Sequence, residues 1–243
     1  MRCTWGEMAY GDSRRTATAL LFLHGTGCDS RDWDGVTSAL GPGVRAIAAD
    51  FRGHGSSAVP RAAFTLEDLA ADVILLADHL GLGELVIVGH SLGGMVAIEV
   101  ARRWPRLSGL VLLEGWTALS AAGAFEGERF YGALPHARVE EIKGKDVRTR
   151  GRFAPQVWSA FWRSVEQFDA YAYLEGATIP ILEVYGGMGR TRRTRRALRV
   201  PENPNIEWVW IAGAGHYLPH ERPDEVARAC LRGLERVRSA RGH

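Results

Sequence analysis

The sequence has few cysteines, almost no lysine and no long apolar run. Cys3, Cys28 and Cys230 show no C-x-x-C spacing, so they indicate neither a disulfide framework nor a zinc site. The apolar runs are far shorter than the roughly 20 residues of a membrane helix. The N-terminus has no apolar stretch of signal-peptide length. We therefore expect a cytoplasmic protein that contacts no membrane and binds no metal.

What the sequence does have is enough apolar material for a large core. Of its 243 residues, 46% are hydrophobic and 24% are charged, and the formal net charge is +2. This balance excludes disordered and fibrous chains. At roughly 150 residues per domain, the length predicts one or two domains.

Short apolar runs alternate with helix-like segments along the chain. The runs are Ala17–His24, Val44–Ala49, Leu85–Val88, Leu110–Leu113, Ile181–Tyr185 and Trp208–Ile211. They are apolar throughout, as expected for strands that are covered on both faces. The helix signals are a capping-type start at Thr65–Asp68, then Ser91–Trp104 and Pro223–Val237. The pattern predicts an α/β fold, with a mostly parallel central sheet and helices on both faces.

Residues 116–176 interrupt this alternation, because about sixty residues are too many for an ordinary connection. We interpret them as an inserted, mostly helical lid on a core domain formed by 1–115 and 177–243. The segment is rich in aromatic residues: Trp116, Phe125, Phe130, Tyr131, Phe153, Trp158, Phe161, Trp162, Phe168, Tyr171 and Tyr173. These side chains either pack the insertion or line a ligand pocket. Trp116, Trp158 and Trp162 are the candidates for substrate binding.

The motif Gly89-His90-Ser91-Leu92-Gly93 follows a predicted strand and precedes a predicted helix. Its glycines allow a sharp turn that places the Ser91 hydroxyl above the sheet, beside a helix N-terminus that favours negative charge. A serine hydroxyl needs a base to become a nucleophile. His216 follows the last predicted strand at a glycine-rich turn, from which an imidazole can reach Ser91. The alternatives are a passive serine and a structural histidine.

Four motifs together resemble the α/β-hydrolase superfamily over essentially the whole chain. They are His24-Gly25-Thr26-Gly27, Asp50–Ser56, Gly89–Gly94, and Gly213–His216 with the following His220–Pro223. The resemblance implies acyl transfer without a cofactor, with Ser91 as nucleophile and His216 as base. It also implies an oxyanion hole formed by the backbone N–H groups of Thr26 and Leu92. His24 is expected to brace the oxyanion loop, and His220 to serve in packing or capping.

The triad acid departs from the pattern of most relatives. In them a carboxylate follows the strand that corresponds to Ile181–Tyr185, but Gly189 occupies that place here. Another branch of the superfamily, which includes haloalkane dehalogenases, takes its acid from the end of the preceding strand. There this chain has Glu114, and Ser91, Glu114 and His216 keep the order serine, acid, histidine. We therefore predict Glu114 as the acid, the alternative being a glutamate that caps the next segment.

Arginines cluster near the missing carboxylate. Residues 176–200 hold six arginines and one acid, Glu183, and all six arginines lie within Arg190–Arg199. Such a cluster is either the solvated face of a helix or a patch that attracts an anionic substrate or a carrier protein. Nucleic-acid binding is not expected, because no recognised module accompanies the charge.

Three functions fit these observations. The leading one is a serine hydrolase that cleaves an ester, thioester or lactone through an acyl-Ser91 intermediate. The second is a lyase, cyclase or acyltransferase on the same scaffold, and an aromatic lid that excludes water would favour it. The third is a ligand-binding protein with an idle triad, and the missing carboxylate at Gly189 supports it.

Overall fold

Seven strands form one central sheet in the computed structural model, which describes residues 1–15, 17–124, 130–190 and 194–241. Two N-terminal strands, β1 (Arg2–Cys3) and β2 (Gly6–Glu7), pair only with each other. The sheet strands are β3 (Tyr10–Asp12), β4 (Ala19–Leu23), β5 (Arg45–Ala49), β6 (Leu85–His90), β7 (Gly109–Leu113), β8 (Ile181–Gly186) and β9 (Ile206–Ile211). Their order across the sheet is β3-β5-β4-β6-β7-β8-β9, and only β3 is antiparallel to its neighbour. The parallel strands therefore end at one common edge of the sheet.

Helices cover both faces of this sheet. They are α1 (Asp34–Ala39), α2 (Leu66–His79), α3 (Leu92–Arg103), α4 (His136–Arg150), α5 (Pro155–Glu166), α6 (Tyr171–Gly176), α7 (Leu218–Glu221) and α8 (Pro223–Arg241). Short 3₁₀ turns span Ser30–Trp33, Leu119–Ala124 and Thr194–Leu198. The described residues include no helix that is both long and apolar enough to cross a membrane.

The strands bury apolar side chains on both faces, and β4 shows this most clearly. Leu21 and Leu23 belong to the core that includes the buried side chains of α2 and α3. Leu20 and Phe22 point the other way, into the core that includes the buried side chains of α8. Because successive side chains of a strand alternate between faces, a strand covered on both sides is apolar at nearly every position. This is why the central strands have largely apolar sequences, with Glu183 of β8 as an exception.

The predicted α/β fold is confirmed, and all six predicted strands are present with small changes at their ends. The capping box that opens α2 is also present, since the Thr65 hydroxyl accepts from the backbone N–H of Asp68 and the Asp68 carboxylate accepts from the N–H of Thr65. Sequence analysis missed β1, β2 and β3. These strands have two or three residues and are half-exposed, so they leave no apolar run to detect.

Residues between β7 and β8 form the helices α4, α5 and α6. Helix α5 packs on the core, where the Phe161 ring stacks on that of Phe64 with centroids 4.9 Å apart. Of the aromatic residues singled out in this segment, Phe125 lies outside the described residues. The division into a core domain (1–115 and 177–243) and a lid (116–176) stays a prediction.

Helix α3 lies unusually close to the end of β7, and glycines permit the approach. A Cβ added to Gly94 would lie 2.3 Å from the Cα of Gly115, which is backbone and cannot move aside. This contact brings the start of α3 close to the end of β7. Ser91, the predicted nucleophile, directly precedes α3, and Glu114, the predicted acid, directly follows β7.

We expect Gly94→Ala to lower the free energy of unfolding by about 1–3 kcal/mol, because overpacking a tight contact forces backbone shifts. Urea unfolding monitored by circular dichroism measures this. Gly176→Ala, in open space at the end of α6, is the matched control and should not destabilise. Equal stability of the two variants would contradict the close approach as a constraint.

Candidate active site

Ser91 lies in the sharp turn between β6 and α3. Its backbone has φ 54° and ψ −117°, a conformation that residues with a side chain rarely adopt. Its N–H donates to the carbonyl oxygen of Leu113 at the end of β7, at 2.9 Å. The hydroxyl group of Ser91 therefore stands at the N-terminus of a twelve-residue helix, where the backbone dipoles favour negative charge.

The glycines of the motif are required by close backbone contacts. A Cβ on Gly89 would lie 2.3 Å from the carbonyl oxygen of Gly93, and one on Gly93 would lie 2.1 Å from that of Leu23. The turn can be this tight only if both positions lack a side chain. The G-x-S-x-G spacing thus has a steric reason in this fold.

His216 lies on the loop between β9 and α7, and it is 2% exposed. Its ring is stacked between Phe130, with centroids 4.5 Å apart, and Trp116, with centroids 5.1 Å apart. Its backbone N–H donates to the carbonyl oxygen of Phe130, and His90 donates from Nε2 to the carbonyl oxygen of His216. Burial, together with the charge of Arg190, lowers the pKa of His216. The imidazole is therefore neutral near pH 7 and able to accept a proton.

Glu114 directly follows β7 and is completely buried. Its backbone is in the left-handed region, with φ 55°, like that of Ser91. The carboxylate oxygen Oε2 lies 3.6 Å from Nδ1 of His216. Sequence reasoning selected Glu114 by its place at a strand end, and the structure brings its carboxylate beside the predicted base.

Arg190 is the residue of this site that sequence reasoning missed. Its guanidinium donates to Oε1 of Glu114 at 2.8 Å and to Oε2 at 3.2 Å, and the backbone N–H of Gly186 donates to Oε1 at 2.6 Å. The Arg190 side chain is only 5% exposed, so it is not part of a solvated patch. The sequence did contain an indication of this role for Arg190. Arg190 directly follows Gly189, which occupies the place where a carboxylate was expected. A buried Glu114 also needs a positive charge beside it.

The other arginines of the predicted anion-attracting patch have different surroundings. Arg199 is half-exposed and forms an ion pair with Asp169, and Arg196 is exposed. Arg192 and Arg193 lie outside the described residues, as does the side chain of Arg195. The binding of an anionic substrate or carrier protein at Arg190–Arg199 stays a prediction.

The loop after β4 carries Thr26, and His24 fixes its conformation. The Nδ1 atom of His24 donates to the carbonyl oxygen of Gly25 at 2.8 Å, and its Nε2 accepts from the backbone N–H of Phe51 at 3.1 Å. Gly25 packs directly on His90 and Ser91. This packing places Thr26 beside the predicted nucleophile, while Leu92 opens α3 directly after it.

A cavity of about 460 Å³ joins these groups. Ser91, His216 and Thr26 line it, together with residues of α4. The remaining walls are largely aromatic: Trp116, Phe130, Tyr131, Trp162 and Tyr217. The cavity therefore combines largely aromatic walls with the predicted nucleophile, the predicted base and Thr26.

Of the three tryptophans predicted to bind substrate, Trp116 and Trp162 line the cavity. Trp158 does not. Its ring packs against Phe153, Phe161 and Trp162 in the interior of the insertion. Trp158 and Trp162 are four residues apart and share one face of α5, so the spacing alone could not tell which of them reaches the cavity.

His220, the competing histidine, is held in a network that joins α4 to the core. Its Nε2 lies 3.2 Å from Oδ1 of Asp32, and Arg138 approaches its Nδ1 at 2.8 Å. Lys145 of α4 also binds Asp32, at 2.8 Å. His220 thus links α4, which lines the cavity, to Asp32 of the core, in agreement with the packing role expected for it.

Comparison with known proteins agrees with this architecture. A family model described as the alpha/beta hydrolase family matches residues 20–229. The solved structure of a thermophilic esterase from Thermogutta terrifontis is 27% identical, with a TM-score of 0.74 over 97% of this chain and 96% of that one. A 2-(acetamidomethylene)succinate hydrolase from Mesorhizobium japonicum is 27% identical over 86% of this chain and 85% of its own length.

Some similarities are local. An uncharacterized protein of Mycobacterium tuberculosis is 39% identical over 95 residues, which is 39% of this chain but 28% of the relative.

With the sheet order, the turn at Ser91 and the family match in place, the class is clear: this chain belongs to the alpha/beta hydrolase family. Its relatives include esterases and other hydrolases, which supports an enzyme.

Glu183, next to this site on β8, is a second buried carboxylate. It is 1% exposed, and burial, with a contribution from the charge of Glu114, raises its pKa to about 8 despite the nearby Tyr185 hydroxyl. The usual pKa of a glutamate carboxyl group is 4.5. Between pH 4.5 and about 8 the folded protein therefore binds a proton that the unfolded chain releases. The free energy of unfolding consequently falls as the pH rises through this window.

Glu183→Gln should reduce this loss of stability between pH 5 and pH 9 by roughly 4 kcal/mol, because an amide does not ionise. Urea unfolding at a series of pH values measures the slope. Glu166→Gln, at the exposed end of α5, is the control and should keep the wild-type slope. An unchanged slope in Glu183→Gln would show that this carboxyl group does not bind a proton on folding.

Proposed function

We propose that this protein is a serine hydrolase that cleaves a carboxylic ester, thioester or lactone through an acyl-Ser91 intermediate, without a cofactor. The observation that supports it most strongly is the shared cavity, which Ser91, His216 and Thr26 all line. The esterase and the hydrolase among its relatives favour the same class of reaction.

In the acylation step, His216 removes the proton of the Ser91 hydroxyl as its oxygen attacks the carbonyl carbon of the substrate. The tetrahedral oxyanion is stabilised by the backbone N–H groups of Leu92 and Thr26, and by the N-terminus of α3. The protonated His216 then donates its proton to the leaving oxygen or sulfur. An acyl ester on Ser91 and a free alcohol or thiol result.

In the second step, water replaces the leaving group. His216 removes a proton from the water molecule, whose oxygen attacks the acyl carbonyl, and it returns that proton to Ser91 as the acid departs. Glu114 holds the imidazole through Nδ1 and stabilises its positive charge in both steps. A neutral resting imidazole, which burial and the charge of Arg190 favour, is the form that both proton transfers need.

The substrate is proposed to be small and largely apolar on its acyl side. The aromatic walls of the cavity offer dispersion and apolar burial, and its volume of about 460 Å³ limits the size of the acyl group. The two cationic side chains that line it, Lys143 and Arg150, each form an ion pair with a neighbouring acid on α4. Residues 116–176 are proposed to act as a lid, with α4 as its cavity-facing element.

Wild-type protein should be labelled by a fluorophosphonate probe and should hydrolyse p-nitrophenyl esters, with a preference for short acyl chains. Ser91→Ala should abolish both activities, because the attacking oxygen is removed. Gel fluorescence and release of p-nitrophenol measure these. Ser159→Ala, an exposed serine of α5, is the control and should retain both. Labelling that survives in Ser91→Ala would contradict the proposed nucleophile.

Glu114→Gln should slow acylation by a factor of about 10⁴, since a carboxamide favours the wrong imidazole tautomer. Stopped-flow measurement of the acyl-enzyme burst gives the rate, and thermal unfolding shows whether the fold is kept. Glu183→Gln is a matched control, because it also replaces a buried carboxyl group, on the neighbouring strand, by an amide. If Glu114→Gln acylates as fast as wild type, or if Glu183→Gln is the slower variant, Glu114 is not the acid.

A further inference from the structure

Three nitrogen donors, one from Gly186 and two from Arg190, form hydrogen bonds to the carboxylate of Glu114. Each donates to a defined oxygen of the carboxylate. Oε1 accepts from the backbone N–H of Gly186 at 2.6 Å and from Nη1 of Arg190 at 2.8 Å. Oε2 accepts from Nη2 of Arg190 at 3.2 Å and lies 3.6 Å from Nδ1 of His216. The guanidinium fork therefore fixes the plane of the carboxylate, and it leaves Oε2 facing the imidazole.

A carboxylate that is completely buried is costly to ionise unless a cation lies beside it. Burial raises the pKa of Glu114 to about 8, and the charge of Arg190 is the strongest influence that limits this rise, followed by the Gly186 N–H. The ionisable groups that face Glu114 come from several elements. They are Arg190 after β8, His216 after β9, Glu183 and Tyr185 on β8, and Glu221 on α7. Arg190 is the only cation among these named groups at neutral pH.

We propose that Arg190 is a positioning residue of the active site, which favours the ionised form of Glu114 and turns its Oε2 toward His216. The inference rests on the proposed function, because an ionised acid matters only if His216 acquires charge during the reaction. Arg190 acts through Glu114 and does not line the cavity. The turn after β8 thus supplies a cation to the acid instead of supplying the acid itself.

The competing reading is that Arg190 only fastens the turn of residues 186–190 to the end of β7. Both readings expect a loss of stability when the ion pair is removed, since a buried charge would lose its partner. They differ in the ionisation of Glu114. A fastening role requires hydrogen bonds but no charge, whereas the proposed role requires the positive charge in particular.

Three variants separate the two readings. Arg190→Gln keeps a hydrogen-bond donor and loses the charge, whereas Arg190→Lys keeps the charge and loses the fork. Arg103→Gln is the matched control, because Arg103 also bonds to a buried carboxylate, that of Glu99, on α3. Circular dichroism and thermal unfolding establish that each variant is folded.

The ionisation of Glu114 is measured directly by ¹³C NMR of the side-chain carboxyl groups in protein labelled at glutamate. The Glu114 signal is identified by its loss in Glu114→Gln. In Arg190→Gln the midpoint of its titration should lie about one to three pH units higher than in wild type. In Arg190→Lys it should stay within about one unit of wild type, and in Arg103→Gln it should not move.

The pH dependence of Ser91 labelling by the fluorophosphonate probe should follow the same order. In Arg190→Gln the rising limb of the labelling rate should move to higher pH by the same amount as the carboxyl midpoint. Raising the pH should therefore restore labelling in this variant, which is an outcome that a fastening role does not produce.

An unchanged Glu114 midpoint in folded Arg190→Gln would overturn the inference while wild-type labelling leaves the proposed function intact. If Arg190→Gln does not fold, Arg190→Lys decides: a midpoint more than one unit above that of wild type would show that charge alone does not set the ionisation. If wild-type protein is not labelled at all, the proposed function is wrong, and the carboxyl titration still reports whether Arg190 favours the ionised form of Glu114.

Discussion

The backbone turn at Ser91 is the constraint on which the arrangement of this site depends. A residue with a side chain at φ 54° costs on the order of 1–3 kcal/mol, and it persists only where the surroundings enforce it. Here the enforcement is visible: Gly89 and Gly93 meet almost in contact, and the N–H of Ser91 donates to Leu113 on the adjacent strand. The same bond ties the nucleophile turn to the strand end that carries Glu114.

Ser91 and Glu114 share an unusual feature, since both have left-handed backbones at the ends of adjacent parallel strands. Where a parallel strand ends, the chain must leave the sheet abruptly, and a left-handed residue redirects it within one position. The side chains at these two positions consequently rise above the same edge of the sheet. His216 reaches this edge from the loop after β9, held there by bonds to His90 and to Phe130.

Burial has opposite consequences for the two titratable groups of the proposed triad. It lowers the pKa of His216, which favours the neutral base, and it raises that of Glu114, which opposes the ionised acid. The positive charge of Arg190 opposes the effect of burial on Glu114, because it lowers the pKa of that carboxyl group. A buried pair of this kind is weak support for stability, because the desolvation of both charges offsets their attraction. Its place beside the proposed base is the reason for proposing that Arg190 favours the ionised form of Glu114.

Local patterns in the sequence were sufficient to predict the six longer strands, the capping box at Thr65 and the turn at Ser91. Each of these depends on neighbouring residues: apolar runs, reciprocal side-chain bonds and glycine spacing. The sequence also placed Glu114 at the end of a predicted strand, and this position was the reason for predicting it as the acid. The sequence did not predict the short strand β3, because a half-exposed strand of three residues has no periodic apolar pattern.

Only the tertiary structure decided which residues meet. Arg190 looked like one member of a solvated arginine run, and Trp158 looked equivalent to Trp162. The structure buries Arg190 against Glu114, which is 76 positions away, and it turns Trp158 into the interior of the insertion. The physical reason is that sequence patterns report the face of a local element, whereas a buried ion pair or a cavity wall depends on how distant elements pack together.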